Sequence, residues 1–453
     1  MEQPDWHGPL TEAYEQATRF LTGLPDRPVG STASVETLRA ALGGPLPAEG
    51  TDAREVVARL AAAAEDGIVA SPSGRFFGFV IGGATPAALA ADWLTATWDQ
   101  NAGLYAAGPA AAVVEEVAGG WLRDLFGLPA HTSVGFVTGA QMSHVTALAA
   151  ARHEVLRRVG WDVETGGLHG APRIAVLAGA DRHSTIDRAL RFLGIGTAAL
   201  VPVDVDDQGR MRPDALRETL AGVDGPVIVC AQLGNVNTGA CDPVGEICDV
   251  AHAAGAWVHV DGAFGLWAAA SAAHRHLVAG AGRADSWTTD AHKWLNVPYD
   301  SGLVFCAHPD AHRAAMGVRA AYLVHAGGDE RDAMDHNPEF SRRARGFAVY
   351  AALRALGRDG VEALIDRTCA LAARFAGRMG DAVLNEVVLN QVLVGLGPDT
   401  PAIIDRVRAD GTCWVSGTTW QGRPAMRFSV SNHTTDAADI DRSADVILRL
   451  AGR

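Results

Sequence analysis

Residues 286–296 read SWTTDAHKWLN, and residues 256–264 read AWVHVDGAF. The first stretch places Lys293 between a histidine and a tryptophan, and the other has the pattern of a buried strand that ends on Asp261. A lysine desolvated enough to attack a carbonyl group and a carboxylate held at a strand end are the two protein groups that pyridoxal phosphate chemistry needs most. Taken singly, a lysine is usually a solvated surface residue, and a strand-end aspartate is common in any α/β protein. The order and spacing of the two, with the further motifs below, favour a pyridoxal phosphate site.

The composition of the 453-residue chain is that of an ordinary globular protein, with 48% hydrophobic and 20% charged residues. This length is enough for a large core and for two or three structural units. Lysine and arginine together number 38 and acidic residues 52, which gives a formal net charge of −14, and no block of basic residues stands out. A nucleic acid or an anionic membrane is therefore a poor match as a partner.

Several segments bear on location and on metal binding. Residues 1–6 lack the basic start and apolar core of a secretion signal, which predicts a cytoplasmic protein. The apolar run 76–91 is interrupted by glycine, threonine and proline and is short for a membrane span, so we predict buried core there. The six cysteines form no CxxC pair, which predicts free thiols in a reducing compartment.

His308 and His312 lie one helical turn apart without a third ligand nearby, so no metal site is predicted.

The pattern of the chain changes twice, which predicts three units. Residues 1–84 read as proline-interrupted helices, residues 85–340 alternate short apolar runs with amphipathic helices, and residues 341–453 combine a long helical region with a few strands. The alternation in the middle unit is typical of a mostly parallel sheet covered by helices on both faces, and the last unit reads as α+β. The predicted strands of the middle unit are 133–137, 173–177, 199–203, 227–231, 257–260 and 302–306. Those of the last unit are 387–393, 412–418 and 426–430, followed by a closing helix at 437–450.

A candidate phosphate site lies at residues 135–143, which read GFVTGAQMS. They pass from a predicted strand through small residues into a helix predicted at 145–159. Backbone N–H groups and the positive end of a helix dipole make such a junction an anion site, and Thr138 adds a hydroxyl. On its own, the stretch reads more readily as a plain strand-to-helix turn.

Residues 181–189, DRHSTIDRA, place His183 just after a strand and before a helix. His183 could stack on a cofactor ring or cap the helix, and both readings stay open from this stretch alone. The phosphate turn, His183, Asp261 and Lys293 each follow a successive strand. Since a parallel sheet brings the carboxyl ends of its strands to one edge, where ligands bind, we expect these elements to meet there.

With these motifs in this order, the chain resembles the group II pyridoxal-phosphate-dependent amino acid decarboxylases, the family of the aromatic-L-amino-acid and glutamate decarboxylases. The resemblance extends from about residue 76 to residue 439, and the motif pattern is similar to that of bacterial members. It implies the fold type I of the pyridoxal-phosphate-dependent transferases, with a helical N-terminal segment, a large α/β domain with a mostly parallel sheet, and a small α+β C-terminal domain. The shared motifs are Phe76–Phe79, the Thr138 turn, His183-Ser184, Leu233–Pro243, His259–Asp261, His292–Trp294 and Arg342-Arg343.

The resemblance implies a role for each matching residue. Lys293 is expected to form a Schiff base with pyridoxal phosphate. Asp261 is expected to pair with the ring nitrogen and keep it protonated, so that the ring accepts the electrons left on Cα when carbon dioxide departs. His183 is expected to stack on one face of the ring, and Ala263 to lie against the other. The remaining expected cofactor contacts are Thr138, Gly139, Ala140, Asn235 and His292.

The chain departs from the family pattern at two places. The usual Ser-Gly-Gly-Ser/Thr-Glu is here TGAQM at residues 138–142, a change that leaves the backbone amides in place. The usual Asn-Pro before His-Lys is here Asp290-Ala291. Because a carboxylate repels a phosphate, no direct contact between the Asp290 side chain and the phosphate is expected.

Tyr322 lies 29 residues after Lys293 and bears on the type of reaction. The aromatic decarboxylases carry a tyrosine at the matching place, on a mobile loop that closes over the partner subunit's site, and its phenol can protonate Cα after decarboxylation. Relatives that form aldehydes carry phenylalanine there. The alternative is a tyrosine on an ordinary exposed loop.

The resemblance predicts α-decarboxylation of an L-amino acid by a homodimer whose N-terminal helices wrap the partner and whose active site lies at the interface. Three alternatives stay open: an aminotransferase of the same fold, which Arg427 keeps under consideration, an aldehyde synthase, and an inactive binding homologue. Aromatic residues near the entry region, with Phe79 and Val80 as candidate substrate contacts, suit an aromatic or bulky apolar substrate. An arginine held for a side-chain carboxylate stays open as well.

Overall fold

The larger sheet has seven strands and is mostly parallel. The computed structural model describes residues 4–318 and 330–453, and the structural statements below concern those residues. The strand order is β1-β7-β6-β5-β4-β2-β3, in which β7 is antiparallel to both of its neighbours and every other pairing is parallel. The strands are β1 (Ser133–Val137), β2 (Ala175–Gly179), β3 (Leu200–Val203), β4 (Val227–Gln232), β5 (Trp257–Asp261), β6 (Ser286–Asp290) and β7 (Gly302–Cys306). The carboxyl ends of six strands therefore meet at one edge of the sheet.

The central strands are buried along their whole length. Every residue of β4, β5, β6 and β7 is buried, as expected for strands covered on both faces. The sequence SWTTD of β6 is polar, and most of its polar groups have partners inside the protein, although Asp290 Oδ1 has no hydrogen-bond partner among the described residues. Trp287 Nε1 donates to the Ala281 carbonyl at 2.8 Å, and Ser143 Oγ donates to Thr288 Oγ1 at 2.8 Å. Because a buried polar group is tolerated only when it is hydrogen-bonded, β6 depends on these contacts more than on hydrophobicity.

Helices cover both faces of this sheet. Leu148 and Ile186, from α6 and α8, pack in one cluster, and Leu122 and Ile247, from α5 and α10, pack in a larger one. The helices are α1 (His7–Gly23), α2 (Val35–Leu42), α3 (Ala53–Ala64), α4 (Pro86–Trp98), α5 (Pro109–Leu125), α6 (Ala140–Arg158), α7 (Val163–Gly166), α8 (Thr185–Phe192), α9 (Pro213–Ala221), α10 (Val244–Ala253), α11 (Pro309–Met316), α12 (Gly346–Met379), α13 (Thr400–Asp410) and α14 (Ala437–Leu450). None of the helices in the described part of the chain is long and apolar enough to span a membrane.

A second, smaller sheet follows the long helix α12. Its order is β8-β10-β9, all antiparallel, with β8 at Gln391–Val394, β9 at Ser416–Trp420 and β10 at Arg423–Ser429. One face packs on α12, α13 and α14 in a core of its own. The helix α14 begins with a capping box between Asp436 and Asp439, which satisfies the backbone N–H groups that a helix leaves unpaired at its start.

Most strand predictions are confirmed in place, and the differences have local causes. The bounds of β1, β7 and α14 are those predicted, whereas β8 and β9 begin four residues later than predicted. The helix predicted at 145–159 begins at Ala140, because the small residues after Gly139 continue the helix rather than a loop. The predicted division of the chain after residues 84 and 340 stays a prediction.

The prediction of continuous buried core at 76–91 is wrong in part. Phe77 and Val80 are buried, but Phe79 is 58% exposed, and the helix α4 begins only at Pro86. Phe79 and Val80 both have positive φ values, 55° and 62°, a region that residues with a Cβ atom rarely occupy. The Phe76 and Trp414 rings stack at 5.0 Å, which joins this loop to the segment that leads into β9. The run thus contributes Phe77, Val80 and Ala88 to the core, as predicted, but as a loop with positive φ values followed by the start of α4 rather than as one continuous core segment.

Candidate active site

A cavity of about 450 Å³ opens at the carboxyl edge of the large sheet. Seven of the residues singled out from the sequence line it: Phe79, Val80, Ala140, His183, Asp261, Ala263 and Lys293. Sequence reasoning missed five other lining residues: Thr185, Gln232, Gly234, Val236 and Phe264. Of these, Gln232 offered a signal, because it is a polar residue at the end of the otherwise apolar strand β4. The predicted meeting of the strand ends at one edge is therefore observed.

Lys293 lies on the turn that follows β6 and forms an ion pair with Asp290. Its Nζ is 3.0 Å from Asp290 Oδ2, and the Asp290 side chain is almost fully buried. Gly82 packs directly against this turn. A side chain at that position would clash, since a Cβ on Gly82 would lie 1.8 Å from the Lys293 carbonyl oxygen. This contact orients the Lys293 amine, which is the group that would bond to a carbonyl. Asp290, the departure from the family pattern, thus acts on the lysine itself.

Asp261 is the last residue of β5 and is 6% exposed. Its Oδ1 accepts a hydrogen bond from the Ala263 backbone N–H at 3.1 Å, and its Oδ2 lies 3.5 Å from His144 Nε2. Burial alone would raise the pKa of Asp261, but the facing His144 and the nearby Lys293 outweigh that effect and hold this pKa below its ordinary value. Asp261 therefore presents a negative charge to the cavity at neutral pH.

An anion cradle forms where β1 leads into α6. Gly139 caps α6 without a side-chain hydrogen bond, so the first N–H groups of this 19-residue helix point out of its end. The backbone of Gly139 lies against that of Gly302, where an added Cβ would come within 2.4 Å. Thr138 lies on the same turn, half-buried. The junction thus combines the partial positive charge of a helix start with free backbone N–H groups, which together can bind a phosphate.

His292 borders this cradle. Its Nδ1 accepts a hydrogen bond from the Ser301 N–H at 3.1 Å, and its ring stacks on Tyr299 at 4.2 Å. Burial lowers the pKa of His292, so the ring is neutral and carries its hydrogen on Nε2. The Nε2 of His292 lies 3.5 Å from Asp290 Oδ2. The ring also lies close to Gly139, since a Cβ added there would be 3.2 Å from the His292 Cε1. His292 can therefore donate to an anion at the start of α6.

His183 is held at the cavity by its neighbours. Its backbone N–H donates to Gln232 Oε1 at 3.1 Å, and its Nδ1 lies 2.8 Å from Thr185 Oγ1. Burial lowers the pKa of His183, against the opposing effect of Asp261. A neutral imidazole at this position adds no second positive charge to a site that already contains Lys293.

Asn235 is 1% exposed and holds a loop. Its Nδ2 donates to the Asp181 carbonyl at 3.1 Å, and its Oδ1 accepts from the Asn237 N–H at 2.9 Å. The residues on either side of it, Gly234 and Val236, line the cavity. The structure thus gives the Asn235 side chain a place in the loop, while its expected contact with the cofactor stays a prediction. Tyr322 lies outside the described residues.

Arg427 is a buried cation on β10. It is 9% exposed, and its Nε and Nη2 atoms have no hydrogen-bond partner among the described residues. Burial lowers its pKa to about 10. Ser416 lies opposite it on β9, and Thr418, on the same face as Ser416, donates to Asn237 Oδ1 at 3.0 Å. Arg427 therefore faces the loop that borders the cavity, and its charge lowers the pKa of His183.

The residues at this edge fit pyridoxal phosphate. The start of α6 and His292 supply donors for a phosphate, Asp261 supplies a charge for a ring nitrogen, and Lys293 supplies an amine for an aldehyde. A Cβ on Gly139 would reach 3.2 Å from His292 Cε1, so the glycine leaves room between the start of α6 and the His292 ring. In the described residues, no group of three or more histidine, cysteine or carboxylate side chains forms a metal cluster.

Comparisons with known proteins agree with this fit. A family model described as the pyridoxal-dependent decarboxylase conserved domain matches residues 37–396. An aromatic-L-amino-acid decarboxylase of Bacillus atrophaeus is 28% identical over 385 residues, which span 83% of this chain and 78% of the relative. An acidic amino acid decarboxylase of Bos taurus is 30% identical over 309 residues, or 66% of this chain and 58% of the relative.

The fold is also that of a solved relative. The crystal structure of Oryza sativa TDC with PLP and tryptamine matches 100% of this chain and 99% of its own, with a TM-score of 0.93 and 23% identity. At this identity the likeness concerns the fold. It confirms the predicted fold type I, with a mostly parallel sheet in a large α/β unit and a smaller α+β unit.

Proposed function

The chain belongs to the pyridoxal-dependent decarboxylase family, and from this premise we propose that it removes the α-carboxylate of an L-amino acid with an aromatic or bulky apolar side chain. The cofactor is pyridoxal 5'-phosphate, and the enzyme is an amino acid decarboxylase. The observation that carries the substrate proposal is the apolar wall of the cavity, formed by Phe79, Val80, Val236 and Phe264.

Each residue has a proposed task in the reaction. Pyridoxal phosphate, when bound, accepts the electron pair that Cα retains as carbon dioxide leaves. Lys293 would hold the cofactor through its amine, which is the group that the substrate amine would have to displace. Asp261 would keep a proton on the ring nitrogen, and His183 and Ala263, which line the same cavity, would contact the ring. Tyr322 is the proposed proton donor to Cα.

Product analysis of the loaded enzyme with a panel of L-amino acids tests this function. We expect equal amounts of amine and carbon dioxide, and the highest kcat/KM with aromatic substrates. A 2-oxo acid that forms only with an amino acceptor would indicate an aminotransferase. Aldehyde with ammonia and peroxide would indicate an aldehyde synthase, and the absence of any product would indicate a binding homologue.

Arg427 favours a second candidate substrate, an amino acid with a side-chain carboxylate. An unpaired guanidinium that is nine-tenths buried is costly unless a ligand compensates it. It could pair either with a side-chain carboxylate or with the α-carboxylate that all amino acids share. The acidic amino acid decarboxylase among the relatives is consistent with the first reading.

Arg427→Gln separates these two readings. If Arg427 binds a side-chain carboxylate, we expect kcat/KM to fall by about 10²-fold for acidic substrates and to change little for aromatic ones, since a charged hydrogen bond contributes about 1.5–3 kcal/mol. A similar fall for every substrate would assign Arg427 to the α-carboxylate. Arg423→Gln, an arginine on the same strand that is exposed, is the matched control and is expected to leave kcat/KM unchanged. No change in Arg427→Gln with any substrate would remove Arg427 from the site.

We also propose a homodimer in the cytoplasm. Exposed apolar residues support the dimer: Trp6, Leu10 and Tyr14 in the first helical segment are 70%, 55% and 60% exposed, and Trp93 and Trp98 on α4 are 40% and 48% exposed. Such a concentration of exposed apolar side chains is typical of an interface. Sedimentation of a fully active monomer would contradict the dimer.

A further inference from the structure

A row of fully buried polar side chains extends from Asp261 into the protein. Trp257, His259 and Asp261 alternate along β5, so they lie on one face of the sheet, which α6 covers with His144. Trp257 Nε1 donates to Ser286 Oγ at 2.9 Å, and Ser286 Oγ lies 2.9 Å from His259 Nδ1. His259 Nε2 lies 2.9 Å from His144 Nδ1, and His144 Nε2 lies 3.5 Å from Asp261 Oδ2. The four residues behind Asp261 are 0% exposed.

The Trp257 indole, at the end of the row farthest from Asp261, determines where each hydrogen in the row lies. The Trp257 indole can only donate, so Ser286 accepts there and has its own hydrogen free for His259 Nδ1. His259 must then carry its hydrogen on Nε2 and donate it to His144 Nδ1. That leaves the His144 hydrogen on Nε2, directed at Asp261. His144 Nε2 has no hydrogen-bond partner among the described residues, and its 3.5 Å from Asp261 Oδ2 is longer than the ordinary N–H···O range of about 2.7–3.2 Å, so the contact is a facing dipole rather than a formed hydrogen bond.

The opposite order of hydrogens is disfavoured by the surroundings. If His259 donated from Nδ1 to Ser286, the serine hydroxyl would accept twice, and the described residues offer no other acceptor for its hydrogen. A doubly protonated His259 would place a charge in the core, and burial together with the facing His144 lowers the pKa of His259 to about 3. His259 is therefore neutral and donates to His144 Nδ1, so the hydrogen of each ring lies on its Nε2, on the side toward Asp261.

We propose that Trp257, Ser286, His259 and His144, here called the indole relay, position a neutral N–H dipole against Asp261 and so keep its carboxylate charged and oriented toward the ring nitrogen of the cofactor. The relay stabilises the negative charge without adding a positive one. A cation at His144 would compete with the ring nitrogen for Asp261, whereas a neutral donor leaves the charge available. The four residues are positioning residues, since they act through Asp261, and this inference rests on the role proposed for Asp261.

The tautomers can be tested on the full chain without any assay of activity. Nitrogen-15 spectra of the loaded enzyme report which ring nitrogen of each of the 16 histidines carries hydrogen, and His144→Gln and His259→Gln assign the two signals. We expect neutral Nε2–H forms for both residues, unchanged from pH 6 to pH 8. A hydrogen on Nδ1 of either ring, or a charged ring, would overturn the proposal even if the enzyme decarboxylates amino acids.

Two substitutions at His144 test the consequence for Asp261. His144→Leu removes the N–H, and we expect cofactor dissociation to become about 10-fold to 100-fold faster and kcat to fall by a similar factor, with a smaller change in KM. His144→Gln can accept from His259 and donate to Asp261 with its amide, so we expect it to restore most of the lost affinity. Equal behaviour of the two variants would show that His144 only fills space. Normal tautomers in an enzyme that decarboxylates nothing would leave the relay in place and contradict the proposed function.

Ser286→Ala extends the test to a residue remote from the cavity. Without the hydroxyl, His259 loses the partner that sets its tautomer, so we expect a fraction of both histidines to change to Nδ1–H and the cofactor to dissociate faster. Ser133→Ala is the matched control, because Ser133 Oγ lies 2.8 Å from Nδ1 of the fully buried His312 outside the cavity lining. The control is expected to alter the His312 signal and to leave cofactor dissociation unchanged. A cofactor dissociation rate in Ser286→Ala equal to that of the wild type would contradict the relay.

Discussion

Replacing Lys293 with alanine is expected to abolish the adduct that borohydride traps between the protein and pyridoxal phosphate, and to lower decarboxylation by about 10³-fold or more. Lys293 is the only lysine among the 453 residues, so no other side-chain amine can take its place. The measurement is the mass of the intact protein after reduction. The wild type is expected to gain one cofactor per chain, and Lys293→Ala none.

Two further variants separate the amine of Lys293 from its charge. Lys293→Arg keeps a cation opposite Asp290 but has no amine that can bond to the aldehyde, so we expect it to lose the adduct as the alanine variant does. Asp290→Asn keeps the amine, and we expect it to retain the adduct. If peptide mapping of reduced Lys293→Ala located an adduct at another residue, Lys293 would lose its proposed role.

Local patterns were sufficient to place most of the fold. The strand β7 is a run of apolar residues, GLVFC, and burial on both faces of a sheet requires such runs. The bounds of α14 follow from an apolar period that begins after a capping aspartate, Asp436. In both places the local signal and the tertiary environment agree, and the prediction matches the structure.

Contacts between distant residues account for what the sequence did not predict. β6 is polar, and its burial depends on hydrogen bonds such as that from Ser143, 145 positions before Thr288 in the chain. Phe76, in the same loop as the exposed Phe79, stacks on Trp414, which lies just before β9. Neither partner could be identified from spacing along the chain, so 286–290 was absent from the predicted strands and the whole run 76–91 was predicted as buried core.

The candidate site was predictable where the family motifs were local. Lys293, His183 and Asp261 follow strand ends, and the structure brings them to one cavity. The single lysine was a compositional signal that the motif reasoning did not use. His144 gave no signal, because a histidine inside a helix is usually a core or surface residue, and its relation to Asp261 needs both α6 and β5 in place.

Asp261→Asn is the second substitution from which we expect a large effect. Asparagine keeps the shape of the side chain and can still accept from the Ala263 N–H, but it loses the charge that holds a proton on the ring nitrogen of the cofactor. Electrostatic groups of this kind contribute about 10²-fold to 10³-fold to kcat in other enzymes, and we expect kcat to fall by about 10³-fold. Steady-state release of carbon dioxide from the loaded variant measures the change.

Asp285→Asn is the matched control for this substitution. Asp285 is 9% exposed, accepts from the Val258 N–H at 2.7 Å, and has His252 and His308 as partners, away from the cavity. Burial alone would raise its pKa, but His308 and the other donors hold that pKa below its ordinary value. The control thus repeats the burial, the histidine partners and the charge of Asp261. We expect its kcat to stay within about threefold of the wild type per folded chain.

The pH dependence distinguishes a charge effect from damage to the fold. A carboxylate whose pKa is lower in the folded state stabilises the protein above its unfolded pKa, and this contribution disappears as the pH falls through the folded value. The pKa of Asp261 is lowered on folding, so its charge is present at both pH 6 and pH 8. The loss of kcat in Asp261→Asn should therefore be equal at these two values. A loss that disappeared toward pH 6 would mean that Asp261 is protonated there in the wild type, and that another group supplies the charge for the ring nitrogen.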